Sequence, residues 1–386
     1  MKGNSNNHTS CCGRGRSALF PVLSLRALGP ALFLLAVAVR IIFFHDIIQH
    51  PSASPSPAPL SNNVKAIATT STSTAASETI ISLDHEELDN ETKALCHRAH
   101  EFDSKASVRE QISYIAKEGG LTSQMYQDAT IISILSGSGV LRQGGIYADV
   151  AAAHPRFLSN SFVLDKCYGW NGVCVEADPL RVGLLKAQRS CKVVDTCVSE
   201  IEGEEVDFYV TSREGDTLSN GIANIGTATG KSQKMRCKAM SNVFREANIT
   251  RVDVMSLDVE SAEPMVLAGI DWSAVDIEII VMEINKHTIR TEGGSMKGSA
   301  NRIISILEAQ NFVPVLELFP YHKNTMPIDD CSSVLLGQSV QSAFQPNRKG
   351  EFGLGVWRRQ DVLFVRRGGI YEQPIIDWVH AKAGCG

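Results

Sequence analysis

The sequence predicts an α/β domain on a Rossmann-like, doubly wound, mostly parallel seven-stranded sheet, preceded by one transmembrane helix and a disordered stalk. Three observations carry that prediction. From Gly145 onward, short apolar runs alternate with helical stretches, the rhythm of strands joined by crossover helices. Acidic residues recur at the carboxyl ends of those runs, where such sheets bind ligands. Ahead of both stands an apolar segment followed by a run rich in Pro, Ser and Thr.

Taken from the N-terminus, every residue from Ala27 to Val39 is apolar, Gly or Pro, and Ile41 to Phe44 extend the run beyond Arg40. That is close to the roughly 20 residues a spanning helix needs. Lys2, Arg14, Arg16 and Arg26 precede it, whereas Asp46 follows and no further Lys or Arg occurs until Lys65. The positive-inside rule then gives a cytosolic tail (1–26), a signal anchor (27–48), a stalk (49–91) and a lumenal domain (92–386). A single-pass type II protein of the Golgi or endoplasmic reticulum has this layout. A cleaved signal peptide and an organellar transit peptide compete with it, the latter because residues 1–45 hold Arg and Ser but no acid.

Residues 51–79 contain no aromatic residue and cannot bury a core, which suits a disordered stalk with Ser and Thr open to O-glycosylation. Asn90-Glu91-Thr92 and Asn248-Ile249-Thr250 are glycosylation sequons, usable only in a secretory compartment. Of ten cysteines, Cys11 and Cys12 precede the anchor, as palmitoylation candidates or free thiols, and an even number follows it. Disulfides are therefore permitted, with no pairing implied, and no CxxC metal pair occurs after the anchor. With 37 basic against 42 acidic residues and no dense Lys/Arg stripe, nucleic acid is a poor partner.

Within the domain, Thr92 to Glu118 predicts one or two edge helices, and Gln127 and Asp128 stand at the start of the next. Strands are expected at 146–151, 173–176, 192–198, 252–257, 276–284, 313–318 and 361–365. Helices are expected at 157–167, 179–189, from Met265 and at 301–310. Residues 203–210 read as an antiparallel addition, and 212–232 as a mobile loop near the site opening.

Asp149 leaves the first strand and Glu176, followed by Ala177, ends the second. An acid at the second position can accept both hydroxyls of a ribose, which serves NAD and S-adenosylmethionine alike. Ala151-Ala152-Ala153-His154-Pro155 stands where NAD would need a glycine cradle for its pyrophosphate, so a cofactor without one fits better. Asp258 and Glu260, two apart at the end of the fourth strand, would face one side of an extended chain and suit a metal ion, a base or a hydrogen-bonded loop support. Glu263 reads as a brace for the following helix. Glu283 and His287 stand where an acceptor could approach, and His287 has a pKa suited to a general base.

Ser123-Gln124, Gln127-Asp128, Asp149, Ser159-Asn160-Ser161, Gly169-Trp170-Asn171-Gly172 with Glu176, and Leu257-Asp258-Val259-Glu260-Ser261-Ala262-Glu263 occur in this order. Together they resemble the FkbM family of methyltransferases over roughly residues 120–370. The resemblance implies a class I methyltransferase fold, S-adenosylmethionine as cofactor, no resident metal, and methyl transfer to a hydroxyl of a glycan or another small acceptor. Carried onto this chain, it assigns Gln124, Asp128, Asp149, Ala151, Asn160, Glu176, Ala177 and Asp258 to the cofactor. Catalysis falls to Asp258, Glu260, Glu283 and His287. Ala151, Pro155 and Ser261 depart from glycines of the family pattern, which implies a different path for the first loop. Two other readings share parts of this pattern: a type II membrane-anchored glycosyltransferase, and a catalytically inactive methyltransferase-fold binding protein.

Overall fold

The computed structural model describes residues 89–383 apart from 106, 119, 124–125, 211–220, 223–230, 285–297, 318–333 and 345–359. The tail, anchor and nearly all of the stalk lie outside the described residues, as do Gln124 and His287. Among the described residues, no helix is long and apolar enough to cross a membrane.

Two helices open the domain, α1 (Asn90–Asp103) and α2 (Val108–Glu118). The first starts two residues before the expected boundary, because the Asp89 carboxylate accepts the Thr92 N–H and caps it. Then come α3 (Gln127–Gly137), β1 (Ile146–Val150), α4 (Phe162–Tyr168), β2 (Asn171–Glu176), α5 (Pro179–Gln188) and β3 (Lys192–Asp195). The expected helix from Phe157 begins only at Phe162, since the Ser159 hydroxyl accepts the Ser161 and Phe162 N–H groups and holds a turn there. The expected strand 192–198 is broken after Asp195, and Val198–Ser199 (β4) pairs instead with Lys238–Ala239 (β8).

An antiparallel arm follows, made of β5 (Glu205–Val210), β6 (Gly221–Ile222) and β7 (Lys231–Arg236). The expected loop at 212–232 thus gives way to strand at its end, while its described interior is confined to Gly221 and Ile222. The chain returns through α6 (Met240–Ala247), β9 (Arg251–Leu257), α7 (Glu263–Ala268), β10 (Asp276–Ile284), α8 (Gly298–Ala309), β11 (Phe312–Glu317), β12 (Gln360–Arg366) and α9 (Glu372–Ala383).

The main sheet has seven strands in the order β11-β12-β10-β9-β1-β2-β3, and β12 alone runs against its neighbours. Its two faces are covered because consecutive strand residues point to opposite sides. Tyr147, Val254 and Ile279 join one core with Leu95, Phe162 and Ile375, while Ala148, Met255 and Ile280 join the other with Val243, Val266 and Ile303. Each such buried aliphatic side chain contributes about 1.5–3 kcal/mol. Gly172 sets the β1–β2 spacing, for a Cβ there would stand 2.1 Å from the Tyr147 carbonyl oxygen. Trp170, 1 % exposed, packs on Gly145 and donates from Nε1 to the Arg142 carbonyl at 2.7 Å. The Gly-Trp-Asn-Gly string is thus a packing device at the foot of the sheet.

Among the described residues, three disulfides tie this frame: Cys96–Cys167 joins α1 to α4, Cys174–Cys191 joins β2 to the segment before β3, and Cys197–Cys237 joins the roots of the arm. Cys96–Cys167 closes a separation of 71 residues in sequence. Replacing both by Ala is expected to lower the unfolding free energy by about 4 kcal/mol. Denaturant titration of both proteins checks this, and an unchanged midpoint would contradict it.

Candidate active site at the carboxyl ends of the strands

A pocket opens over the carboxyl ends of β1, β2 and β9. Its wall is built from the 149–154 and 157–160 stretches, Val175 to Ala177, Thr196 to Val198, Ser256, and Asp258 to Glu260, together with Gln127, Arg181, Phe208 and Ala262. Every strand end in this wall comes from the parallel part of the sheet, so their backbone and side-chain polar groups converge.

A buried guanidinium organises the first half of the site. Arg189, just past α5, has no exposed side chain and spends all five N–H groups. Nε donates to Asp165 Oδ2 at 2.6 Å, one terminal nitrogen to the Pro155 carbonyl and Ser159 Oγ, and the other to Tyr147 Oη and Ser161 Oγ. Ser161 Oγ in turn donates to Asp149 Oδ2 at 2.5 Å, and Arg189 lies 3.7 Å from the same oxygen. Burial pushes the Asp149 carboxyl up, against the opposing pull of the Arg189 charge and the Ser161 hydrogen bond. Asp149 therefore reaches the pocket as part of a braced turn.

Glu176 fastens the second strand's end to the first turn. Its Oε1 accepts the Ala177 and Asp178 N–H groups and its Oε2 accepts that of Ala153, at 2.8 to 2.9 Å. Burial raises its pKa although these amides and Arg181 favour the charge. A carboxylate has about four acceptor positions. With three used, it can take one further hydroxyl, not both hydroxyls of a ribose, unless the Ala153 amide lets go.

Ala151 and Ala153 hold φ of 66° and 52°, and Ser261 holds 82°. Positions 151 and 261 thus keep the left-handed backbone that glycine would favour. Holding alanine and serine there carries a local cost of roughly 1–2 kcal/mol per residue. His154, also in the wall, accepts the Arg156 and Phe157 N–H groups at Nδ1. Burial first, then Arg181 and Arg156, holds its pKa down, so the neutral ring carries its proton on Nε2.

β9 ends at Leu257, and Glu260 has φ of 54°, so Asp258 and Glu260 do not share the face of an extended strand. Both still line the pocket. Asp258 Oδ1 is shielded from solvent and has no hydrogen-bond partner. Beneath it Glu263, fully buried, accepts the Val259 and Ser261 N–H groups at Oε1. Burial, reinforced by the Asp258 charge, pushes its pKa up to about 8, so near neutral pH it is a protonated brace.

Asp128 belongs to a different task from the one its motif implied. Its carboxylate gathers the Thr122 and Ser123 N–H and hydroxyl groups into a turn, and it is 1 % exposed and absent from the pocket wall. Its neighbour Gln127 reaches the wall instead, donating to Asp361 Oδ2 at 2.8 Å. Glu283 is buried in the β10–β12 ladder opposite Asp361, away from the wall, because that strand end is covered by its antiparallel neighbour. Asn160 and Ala177 do line it, and Asn160 donates to Ser256 Oγ at 3.1 Å. Sequence reasoning missed Arg189, His154, Arg181, Phe208 and Cys197. A charged residue after a helix reads as solvated, and only the folded chain brings the arm to the strand ends.

Residues 149–314 match the family model described as the methyltransferase FkbM domain. The chain carries that domain and is an S-adenosylmethionine-dependent methyltransferase, which sets aside the glycosyltransferase reading. No curated protein matches the chain. Among solved structures it is similar to MtNAS in complex with MTA and tNA, at 12 % identity and TM-score 0.30 over 72 % of this chain and 71 % of that one. It is also similar to precorrin-6y C5,15-methyltransferase from Geobacter metallireducens GS-15, at 10 % identity and TM-score 0.27 over 64 % and 91 %. The plantazolicin methyltransferase BpumL in complex with SAH matches at 8 % identity and TM-score 0.27 over 72 % and 98 %. Likenesses this distant carry no argument about the site.

The residues present fit the cofactor that the family implies. The Oδ1 atom of Asn160, buried without a partner in the wall, is an acceptor suited to the hydroxyl and ammonium donors of S-adenosylmethionine.

Glu263 yields a pH test. Its pKa is raised from 4.5 to about 8 on folding, so the native state holds a proton that the unfolded chain gives up, and stability falls as pH rises between those values. Glu263→Gln keeps the acceptor oxygen without the titration. Its stability relative to wild type is expected to climb by a few kcal/mol between about pH 5 and 8.5 in denaturant titrations. Parallel pH profiles would contradict this.

Proposed function

We propose that this methyltransferase modifies a hydroxyl of a glycan or another small acceptor, in the lumen of the secretory pathway, on a domain tethered by residues 27–48. The observation that carries the chemical part is Asp258: a pocket carboxylate at a strand end, with one oxygen shielded and free of hydrogen bonds. A hydroxyl is a weak nucleophile and needs a base as it attacks. When bound, S-adenosylmethionine supplies an electrophilic methyl group on its sulfonium. Asp258 accepts the acceptor's proton at its unpartnered Oδ1. Glu260, on the same loop, orients the acceptor hydroxyl. Asn160, Glu176 and Ala177 hold the cofactor, and the braced first turn keeps both reactants in line while limiting water.

The compartment rests on different support. Six cysteines are joined in three disulfides, which persist in oxidising compartments. The second sequon ends α6 with Asn248 and Thr250 both exposed, open to a glycosylating enzyme. The apolar run from Ala27 and its basic N-terminal flank supply the tether.

Labelled methyl transfer from S-adenosylmethionine to a panel of mono- and oligosaccharides tests the chemistry. Asp258→Asn is expected to lower kcat by about 100-fold or more while the protein stays folded. Turnover at the wild-type rate would remove Asp258 as the base. A folded wild-type chain that neither binds S-adenosylhomocysteine nor transfers methyl would favour the inactive binding protein.

A further inference from the structure

The Cys197–Cys237 disulfide stands apart from the other two because one of its cysteines lines the cofactor pocket. It bridges the segment between β3 and β4 to the residue joining β7 to β8, across 40 positions of sequence. Backbone hydrogen bonds run beside it: Lys238 N–H donates to the Cys197 carbonyl, and Cys237 N–H to the Glu204 carbonyl. The arm is thereby rooted at both ends next to the pocket.

Around the bridge lies a small apolar cluster separate from the two large cores, made of Ala177, Cys197, Val206, Phe208, Cys237 and Ala262. Four of these six, Ala177, Cys197, Phe208 and Ala262, also form pocket wall. Phe208 comes from β5, held by β7 through the Phe208–Gln233 pair, so its position depends on where the arm is anchored. It is 7 % exposed, although the arm contributes nothing to the main sheet. An aromatic ring, small apolar side chains and a disulfide make an apolar wall, a surface suited to a heteroaromatic ring.

We propose that the Cys197–Cys237 bridge is a positioning device for the cofactor, fixing the arm so that Phe208 walls the site of its adenine ring. This rests on the cofactor reading above and adds to it a part of the chain outside the main sheet. Opening the bridge frees the arm root, the wall loses its ring, and cofactor affinity falls while Asp258 and the acceptor side stay as they were.

The test measures S-adenosylhomocysteine binding by calorimetry on the full-length chain and on two double variants. Cys197→Ala with Cys237→Ala is expected to weaken binding by about tenfold or more. Cys96→Ala with Cys167→Ala, remote from the pocket, is expected to bind like wild type at a temperature where it is folded. In turnover assays the first pair is expected to raise KM for S-adenosylmethionine and leave kcat and the acceptor KM near wild type. If the first pair does not fold, Phe208→Ala in the oxidised chain is expected to give the same loss of affinity. Wild-type affinity in either altered protein, or equal losses for the two cysteine pairs, would overturn the proposal. A wild-type chain that binds no S-adenosylhomocysteine would overturn the cofactor reading itself, an outcome distinct from these.

Discussion

The site depends on one buried cation. Arg189 lies just past the end of α5, yet its guanidinium touches β1 through Tyr147, the first loop through Pro155, the following turn through Ser159 and Ser161, and α4 through Asp165. A buried charge is tolerated only where partners repay its desolvation. Two carboxylates, Asp149 and Asp165, share this one, and the planar fork can meet five acceptors at once, which an ammonium cannot. The strained backbone at Ala151 and Ala153 needs such surroundings, since left-handed alanines persist only when their neighbours fix them.

The sheet was legible in the sequence because its signal is local. Runs dominated by Val, Ile, Met and Leu such as 252–257 and 276–284 have a length and composition that favour buried strand, and the acids at the ends of β1 and β2, Asp149 and Glu176, mark the ligand edge. What escaped was anything set by contacts distant in sequence. The break after Asp195 arises from pairing with Lys238 and Ala239, and the late start of α4 from the Ser159 hydroxyl. Asp128 belonged to the family string and still proved to be the centre of a turn, for a motif fixes identity without fixing which neighbour a side chain meets. Asp149, Ala151, Asn160, Glu176, Ala177, Asp258 and Glu260 do converge on one pocket, because strand ends of a parallel sheet lie side by side whatever the loops do.

The departures from glycine gain a physical meaning in this frame. Ala151 and Ser261 occupy backbone that glycine would enter without strain. Their hydrogen-bonded surroundings compensate: Ala153 is held by Glu176, the next residue, Ala152, by the Val175 carbonyl, and Ser261 by the protonated Glu263. A stiff pocket follows, with charge on its walls and a neutral carboxyl beneath. Disulfides add to this stiffness at three places, one of them at the wall itself.

The Arg189 fork orders the cofactor half of the site. Calorimetric affinity of S-adenosylhomocysteine for Arg189→Lys, compared with wild type under conditions where both are folded, tests it most directly. The charge is retained but the fork is lost, so the Pro155, Ser159 and Ser161 contacts cannot all be made, and affinity should fall by about tenfold or more. Wild-type affinity in that variant would contradict the account, since the first turn would then hold its shape without the fork.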